Sequence, residues 1–153
     1  MFFTSDVEVR PTDRLRINGS YVKQRYVRQT DHSEVGSSRI PRLKMEYQIA
    51  RPLFVRVVGQ YDAYREDDRR DDSRTGAPLL IYDPEVGDYV RALGFATNDF
   101  RADWLVSYQP SPGTVIFAGY GSSMEERQAL RFGRSLRRTA DGFFVKVSYL
   151  FRV

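Results

Sequence analysis

The sequence predicts an all-β chain, an antiparallel up-and-down meander of about seven strands. Three observations carry this reading. Apolar and polar residues alternate with a period of two along much of the chain, as they do in strands whose side chains point to two faces in turn. Turn-forming clusters interrupt that alternation repeatedly. No stretch carries the 3.6-residue period of a long amphipathic helix.

Phe3, Val7 and Val9 alternate with Asp6, Glu8 and Arg10 in a first strand over about residues 2–10. Pro11-Thr12-Asp13 is a turn, because proline fixes φ and aspartate caps turns locally. Leu15, Ile17 and Tyr21 then alternate with Arg16, Asn18 and Ser20, in a strand running to about Arg28. Residues 29–39 are polar with Gly and Ser, and read as a loop. The third strand has the cleanest pattern: Leu43, Met45, Tyr47 and Ile49 against Arg42, Lys44, Glu46 and Gln48.

Ala50-Arg51-Pro52 turns the chain into a fourth strand. There Leu53, Val55, Val57, Gly59 and Tyr61 oppose Arg56, Gln60 and Asp62, with Phe54 and Val58 on the polar side. Residues 65–99 read as a long loop that opens on a charged run and contains an apolar patch at Pro78–Tyr82. Phe100, Ala102, Trp104, Val106 and Tyr108 define a fifth strand, and Pro110-Ser111-Pro112-Gly113 a turn. The sixth strand, from Thr114 to about Ser122, is apolar on both faces. A charged loop at about 123–141 leads to a closing strand, Gly142 to Val153, in which every odd position from Phe143 is apolar or aromatic.

The connections therefore alternate: short at 11–13, 50–52 and 110–113, long at 29–39, 65–99 and 123–141. Tight turns at one end and long polar loops at the other are the build of an outer-membrane barrel. Strands of about 9–12 residues match the ~9–11 needed to cross a bilayer at a tilt. Tyr21, Tyr47, Tyr61, Phe100, Tyr108, Tyr149 and Phe151 suit interfacial aromatic girdles. Arg42, Lys44, Glu46, Arg56, Asp62, Arg101 and Asp103 are then expected to line the lumen and pair across strands. The competing architecture is a soluble β-barrel or sandwich binding a small apolar ligand, which shows the same alternation.

Composition narrows the function classes. Apolar residues make up 41% and aromatics 14% of the chain, too much for disorder. The net charge of +4 is spread over dispersed arginines, with acids in most of the runs, so nucleic acid is not an expected partner. Without cysteine there is no disulfide, zinc ribbon or thiol chemistry. No apolar run reaches the ~18 residues of a membrane helix. The first residues lack the basic and apolar regions of a signal peptide, so the chain, residues 1–153, is expected to be the C-terminal part of a longer barrel.

Several stretches resemble the C-terminal barrel region of the bacterial family called domain of unknown function 5916. They are Ile40-Pro41-Arg42-Leu43, Glu46-Tyr47-Gln48, Arg74-Thr75-Gly76-Ala77-Pro78-Leu79-Leu80 and Trp104 to Val115, then Gly119 to Ser123, Leu136 to Thr139 and Asp141 to Arg152. The resemblance implies a bacterial outer-membrane location. It also implies an upstream domain similar to family 9 carbohydrate-binding modules, and hence a saccharide-related solute. Resemblance to other outer-membrane barrels implies that Gly142, Tyr149 and Phe151 form the signal read by the barrel-assembly machinery. It supplies no catalytic residue.

Other candidates carry less. His32 beside Asp31 and Glu34 reads as a solvated loop residue rather than a metal ligand. Glu66, Asp67, Asp68, Asp71 and Asp72 lack the glycine and spacing of a calcium loop, and arginines neutralise them. Gly119-Tyr120-Gly121-Ser122 lacks the Lys-Ser/Thr pair of a phosphate loop. Glu46, Asp62 and Asp103 are the candidates for paired glycosidase carboxylates, but ion pairs with lumen arginines explain them more cheaply. Arg127, Arg131, Arg134, Arg137 and Arg138 form the best basic patch, suited to lipopolysaccharide phosphates. The expectation is thus a non-enzymatic outer-membrane segment for solute passage or binding, with no cofactor and no metal. Its partners are outer-membrane lipid, lipopolysaccharide, the assembly machinery and a saccharide ligand, and its three long loops gate access.

Overall fold

The computed structural model describes residues 1–126 and 136–150. Seven strands form one antiparallel sheet in sequence order: β1 (Phe2–Thr12), β2 (Leu15–Val27), β3 (Glu34–Ala50), β4 (Leu53–Glu66), β7 (Phe95–Ser111), β8 (Thr114–Glu126) and β9 (Leu136–Tyr149). A separate hairpin, β5 (Leu80–Asp83) and β6 (Asp88–Arg91), sits between β4 and β7. Among the described residues the sheet is an open meander in which β1 pairs only with β2 and β9 only with β8.

The tight turns lie where the sequence places them. The Thr12 hydroxyl accepts the N–H groups of Arg14 and Leu15, the Gln48 amide donates to the carbonyls of Ala50 and Arg51, and Gly113 takes φ 89°. That positive φ is a conformation only glycine adopts freely.

The long connections differ from expectation. Strands run 11–17 residues rather than 9–12 because β3 starts at Glu34, β4 ends at Glu66, β7 starts at Phe95 and β8 ends at Glu126. The ladder continues through residues that looked like loop: Gly36 pairs with Glu66, Ser37 with Arg65 and Ser38 with Tyr64. Backbone hydrogen bonds sustain a strand whose side chains are polar on both faces, and such a strand leaves no period-two signal. The apolar patch near Leu80 is one strand of the small hairpin, closed by Gly87 at φ 73° and by Tyr82 edge-on to Tyr89 at 5.6 Å.

Register sorts the side chains into two faces. One carries rows such as Val9–Ile17–Met45–Val57–Trp104–Tyr120–Phe143, and Leu15–Tyr47–Val55–Val106–Ala118–Val145. The other carries Asp6–Ser20–Arg42–Gln60–Arg101–Ser123 and Glu8–Asn18–Lys44–Val58–Asp103–Gly121. No second layer covers the middle of the apolar face among the described residues: Trp104 is 45% exposed and Phe143 84%. The buried apolar residues are Tyr61 and Ala92 alone among those described. A soluble domain buries such a face against a second layer, and none is present among the described residues.

Two glycines let the strands approach. A Cβ on Gly119 would come 2.5 Å from the Phe144 ring, and one on Gly94 would overlap the Glu66 carbonyl and lie 2.7 Å from the Asp67 carbonyl carbon. A ring can rotate away and a backbone cannot. Gly94→Ala should therefore lower stability by about 1–3 kcal/mol. Gly142→Ala, where nothing lies within 4 Å, should leave it unchanged. Equilibrium denaturation of the two variants checks this, and equal midpoints would refute the packing account.

Candidate functional site

The charged face gathers all seven residues expected to line a lumen. Arg42, Lys44 and Glu46 lie on β3, Arg56 and Asp62 on β4, and Arg101 and Asp103 on β7, all on the face opposite Trp104. Lys44 Nζ is 3.7 Å from Glu46 and Arg16 Nη1 is 3.8 Å from it, so Glu46 is shared by two cations. The expected cross-strand pairing goes no further on this set. Arg42, Arg56, Arg101 and Asp103 enter no ion pair among the described residues. Asp62 instead accepts two hydrogen bonds from the Gln60 amide, at 3.0 and 3.1 Å.

A cavity of about 460 Å³ opens on this face between Arg42, Lys44, Arg56, Asp103, Leu105 and Phe144. Its size lies in the range of roughly 300–1,000 Å³ typical of small-molecule sites. Three cations against one carboxylate give it a positive field, and the Phe144 ring adds a flat apolar wall. Phe144 breaks the alternation of its strand, which marks it in the sequence. Its partner Gly119, which gives the ring its space, becomes visible only in the register.

The acids suggested for glycoside hydrolysis are not brought together. Glu46 and Asp103 lie two strands and two residues apart, roughly 12 Å at ~4.8 Å per strand and ~3.3 Å per residue. On the same spacings Asp62 stands about 14 Å from Asp103 and about 20 Å from Glu46. Paired carboxylates of a glycosidase sit within about 10 Å. Asp62 faces Asp99 directly, and Asp99 faces Glu125. That acidic row near the loop end was hidden because both partners fall in segments that read as loop.

The charged loop residues hold the loops. Arg28, 4% exposed, donates to Asp67 at 2.9 Å, Asp72 at 2.8 Å, the Asp68 carbonyl and the Ser33 hydroxyl. The Arg28 bond keeps the Asp67 carboxyl below the usual aspartate range. Asp68 receives the Gly94 N–H at 2.7 Å, and Glu66 pairs with Arg69 at 3.1 Å. His32 occupies a turn at φ 57° with Asp31 bonded to Ser33. Among the described residues no cluster of three or more histidines and carboxylates could hold a metal.

Of the closing-strand signal, Gly142 lies on the charged face opposite Gly121, Tyr149 is exposed, and Phe151 lies outside the described residues. Arg127, Arg131 and Arg134 lie outside them too, while Arg137 and Arg138 are in β9. Of the expected girdle, Tyr47, Tyr108 and Tyr149 are exposed on the apolar face. Tyr61 is instead buried, its hydroxyl 2.8 Å from Glu126.

Asp71 accepts bonds from the side chains and N–H groups of Ser73 and Thr75, which bring its pKa down to about 2. A carboxyl depressed in the folded chain contributes stability above its unfolded value, ~3.9. That contribution is lost as pH falls through about 2. The Asp71 carboxyl should thus titrate well below an ordinary aspartate by NMR, and Ser73→Ala with Thr75→Ala should return it toward the ordinary value. An ordinary titration in the unmodified chain would refute this loop geometry. No family model matches the chain, and no curated protein or solved structure matches it either.

Proposed function

We propose that this chain is a segment of a bacterial outer-membrane β-barrel that passes or binds a polar solute and carries out no catalysis of its own. The observation that carries the reading is the single-layer sheet with one exposed apolar face and one charged face. Lipid suits the first as its solvent and water the second. Along β7 the apolar face runs from Phe100 to Tyr108, roughly 26 Å at ~3.3 Å per residue, enough to span a hydrocarbon core at a tilt. The turns and the long loops lie at opposite ends, as the turn and loop sides of such a barrel do.

Lipid cannot satisfy the free N–H and C=O groups of an open sheet edge. The edges of β1 and β9 therefore need further strands. With seven strands in antiparallel order, β1 and β9 run the same way. An all-antiparallel closure takes an odd number of additional strands, which gives the even total of bacterial barrels. The resemblance to the domain of unknown function 5916 family supports such a longer barrel with a saccharide-related solute. The cationic cleft at Arg42, Lys44 and Arg56, walled by Phe144, suits a sugar ring bearing acidic groups. Gly142 and Tyr149, with Phe151, serve the barrel-assembly machinery in this reading, and outer-membrane lipid and lipopolysaccharide surround the apolar band.

One observation favours a second reading. An apolar hollow of about 410 Å³ lies on the outward face between Pro41, Leu43, Met45, Val57, Tyr61 and Phe100. In a soluble chain it would take a small apolar ligand. Fractionation separates the two. The full chain should be recovered in the membrane fraction and extracted only by detergent. Trp104→Arg, in the middle of the apolar band, should reduce membrane-integrated protein by the equivalent of about 2–4 kcal/mol. Leu105→Arg on the charged face should be tolerated. Recovery of the unmodified chain in the soluble fraction without detergent sinks the proposal.

A further inference from the structure

We infer that the outward face carries a binding site for the phosphate of an anionic lipid headgroup, formed by Arg39, Arg65 and Lys23. The inference rests on the membrane reading above and assigns residues that it leaves without a role. On the outward face, directly beyond the apolar band on the loop side, Lys23 stands opposite Arg39. Arg65 lies one diagonal away, since Arg39 pairs with Ala63 and Ser37 with Arg65. By strand parity these residues share the face of Tyr21, Leu43 and Tyr61, where headgroups meet a barrel wall.

Three cations side by side repel one another unless an anion lies between them. None of the three enters an ion pair among the described residues. One acid shares the site. Glu34 lines the same cavity as Arg39 and Arg65, and its carboxyl, held below the usual glutamate range, accepts from Ser37 at 2.6 Å and Arg25 at 2.9 Å. A single carboxylate against Lys23, Arg25, Arg39 and Arg65 leaves the patch positive. Glu126 takes the Tyr61 hydroxyl.

Between Arg39 and Arg65 the sheet is hollow, because Ser37, Ala63 and Ala96 are small. The cavity there measures about 110 Å³, lined also by Glu34 and Asn98. That is the space of three or four waters at roughly 30 Å³ each, and a phosphate group fits in their place. Guanidinium groups present paired donors to phosphate oxygens, and a Lys beside them adds charge. Free phosphate would satisfy the same donors. The site's position at the edge of the apolar band favours a phosphate that carries acyl chains, because those chains would lie along Pro41 and the exposed Leu43.

The full chain, extracted from membranes into a zwitterionic detergent, is titrated with phosphatidylglycerol, with phosphatidylcholine and with sodium phosphate. Phosphatidylglycerol should bind in preference to phosphatidylcholine, and sodium phosphate should not displace it at equal concentration. Arg39→Gln with Arg65→Gln should weaken phosphatidylglycerol binding on the order of 25-fold, at ~5-fold per arginine. Arg39→Lys with Arg65→Lys, which keeps the charge, should recover part of that loss. Arg14→Gln in the β1–β2 turn, at the other end of the sheet, should have no effect. Undiminished binding by the double glutamine variant overturns the site while leaving the membrane reading intact. Equal affinity for sodium phosphate makes it a free-anion site and overturns the lipid assignment. A chain that needs no detergent overturns both readings together.

Discussion

The structure depends on one constraint, the parity of its register. Each strand shows its neighbours alternate side chains on two faces, so a slip of one residue would move a whole set to the wrong side. Lys44 and Met45 illustrate it: in register Lys44 meets Val58 and Asn18 among polar rows, and Met45 meets Val57 and Ile17. The β4–β7 pairing has no irregularity over its full length. Elsewhere the register shifts fall near strand ends, at Val9/Thr12, Gln48/Ala50 and Tyr108/Ser111 by the turns. On the loop side they fall at Tyr26/Val27 and Ser123/Met124. None interrupts the rows through Met45, Trp104 and Phe143. The bulges reshape the rims and leave the two-faced middle of the sheet intact.

That parity also explains what could be read from the sequence. Where one face is apolar and the other charged, as at Leu43–Ile49 against Arg42–Gln48, alternation identifies the strand, its facing and the lumen candidates together. Turns built on Pro52 and Pro112-Gly113 were legible for the same local reason. The loop-side ends of β3, β4, β7 and β8 were not, because residues such as Ser37, Arg39, Arg65, Asn98 and Glu126 are polar on the outward face as well. Without contrast between faces there is no period to detect, and only the backbone ladder declares the strand. Those unread ends hold Asp99 and Glu125, the partners of Asp62 in the acidic row, and the Arg39–Arg65 cleft, so most of the missing site residues and the missing strand residues are one omission. The Arg28 network was invisible for another reason: its partners Asp67 and Asp72 lie some forty positions away, a separation that no local pattern encodes.

Two kinds of stabilisation therefore divide the molecule by height. In the middle, cross-strand rows of aliphatic and aromatic side chains and an uninterrupted backbone ladder hold the strands. Above it, charge and hydrogen bonding take over. Arg28 ties the end of β2 to the segment after β4, and Asp68 anchors Gly94 just before β7 begins. The close approach of Gly94 to the Glu66 and Asp67 backbone brings the two ends of the excursion together. The excursion containing the β5–β6 hairpin is thereby pinned at its base.

The same division accounts for the distribution of arginine. On the charged face Arg42, Arg56 and Arg101 stand in the rows that would be wet, where an unpaired guanidinium keeps its hydration and costs little. On the outward face, arginine and lysine are absent from the rows through Leu43, Met45 and Tyr47 and appear beyond them, at Lys23, Arg25, Arg39, Arg65 and Arg138. A soluble sheet with an exposed face has no reason to keep cations out of one band and cluster them at its edge. A sheet whose outer surface passes from hydrocarbon to headgroup has that reason, because a charge costs several kcal/mol in the first and is attracted by the second. On the proposed membrane reading, the placement of these side chains follows from the same change of solvent as the parity of the strands.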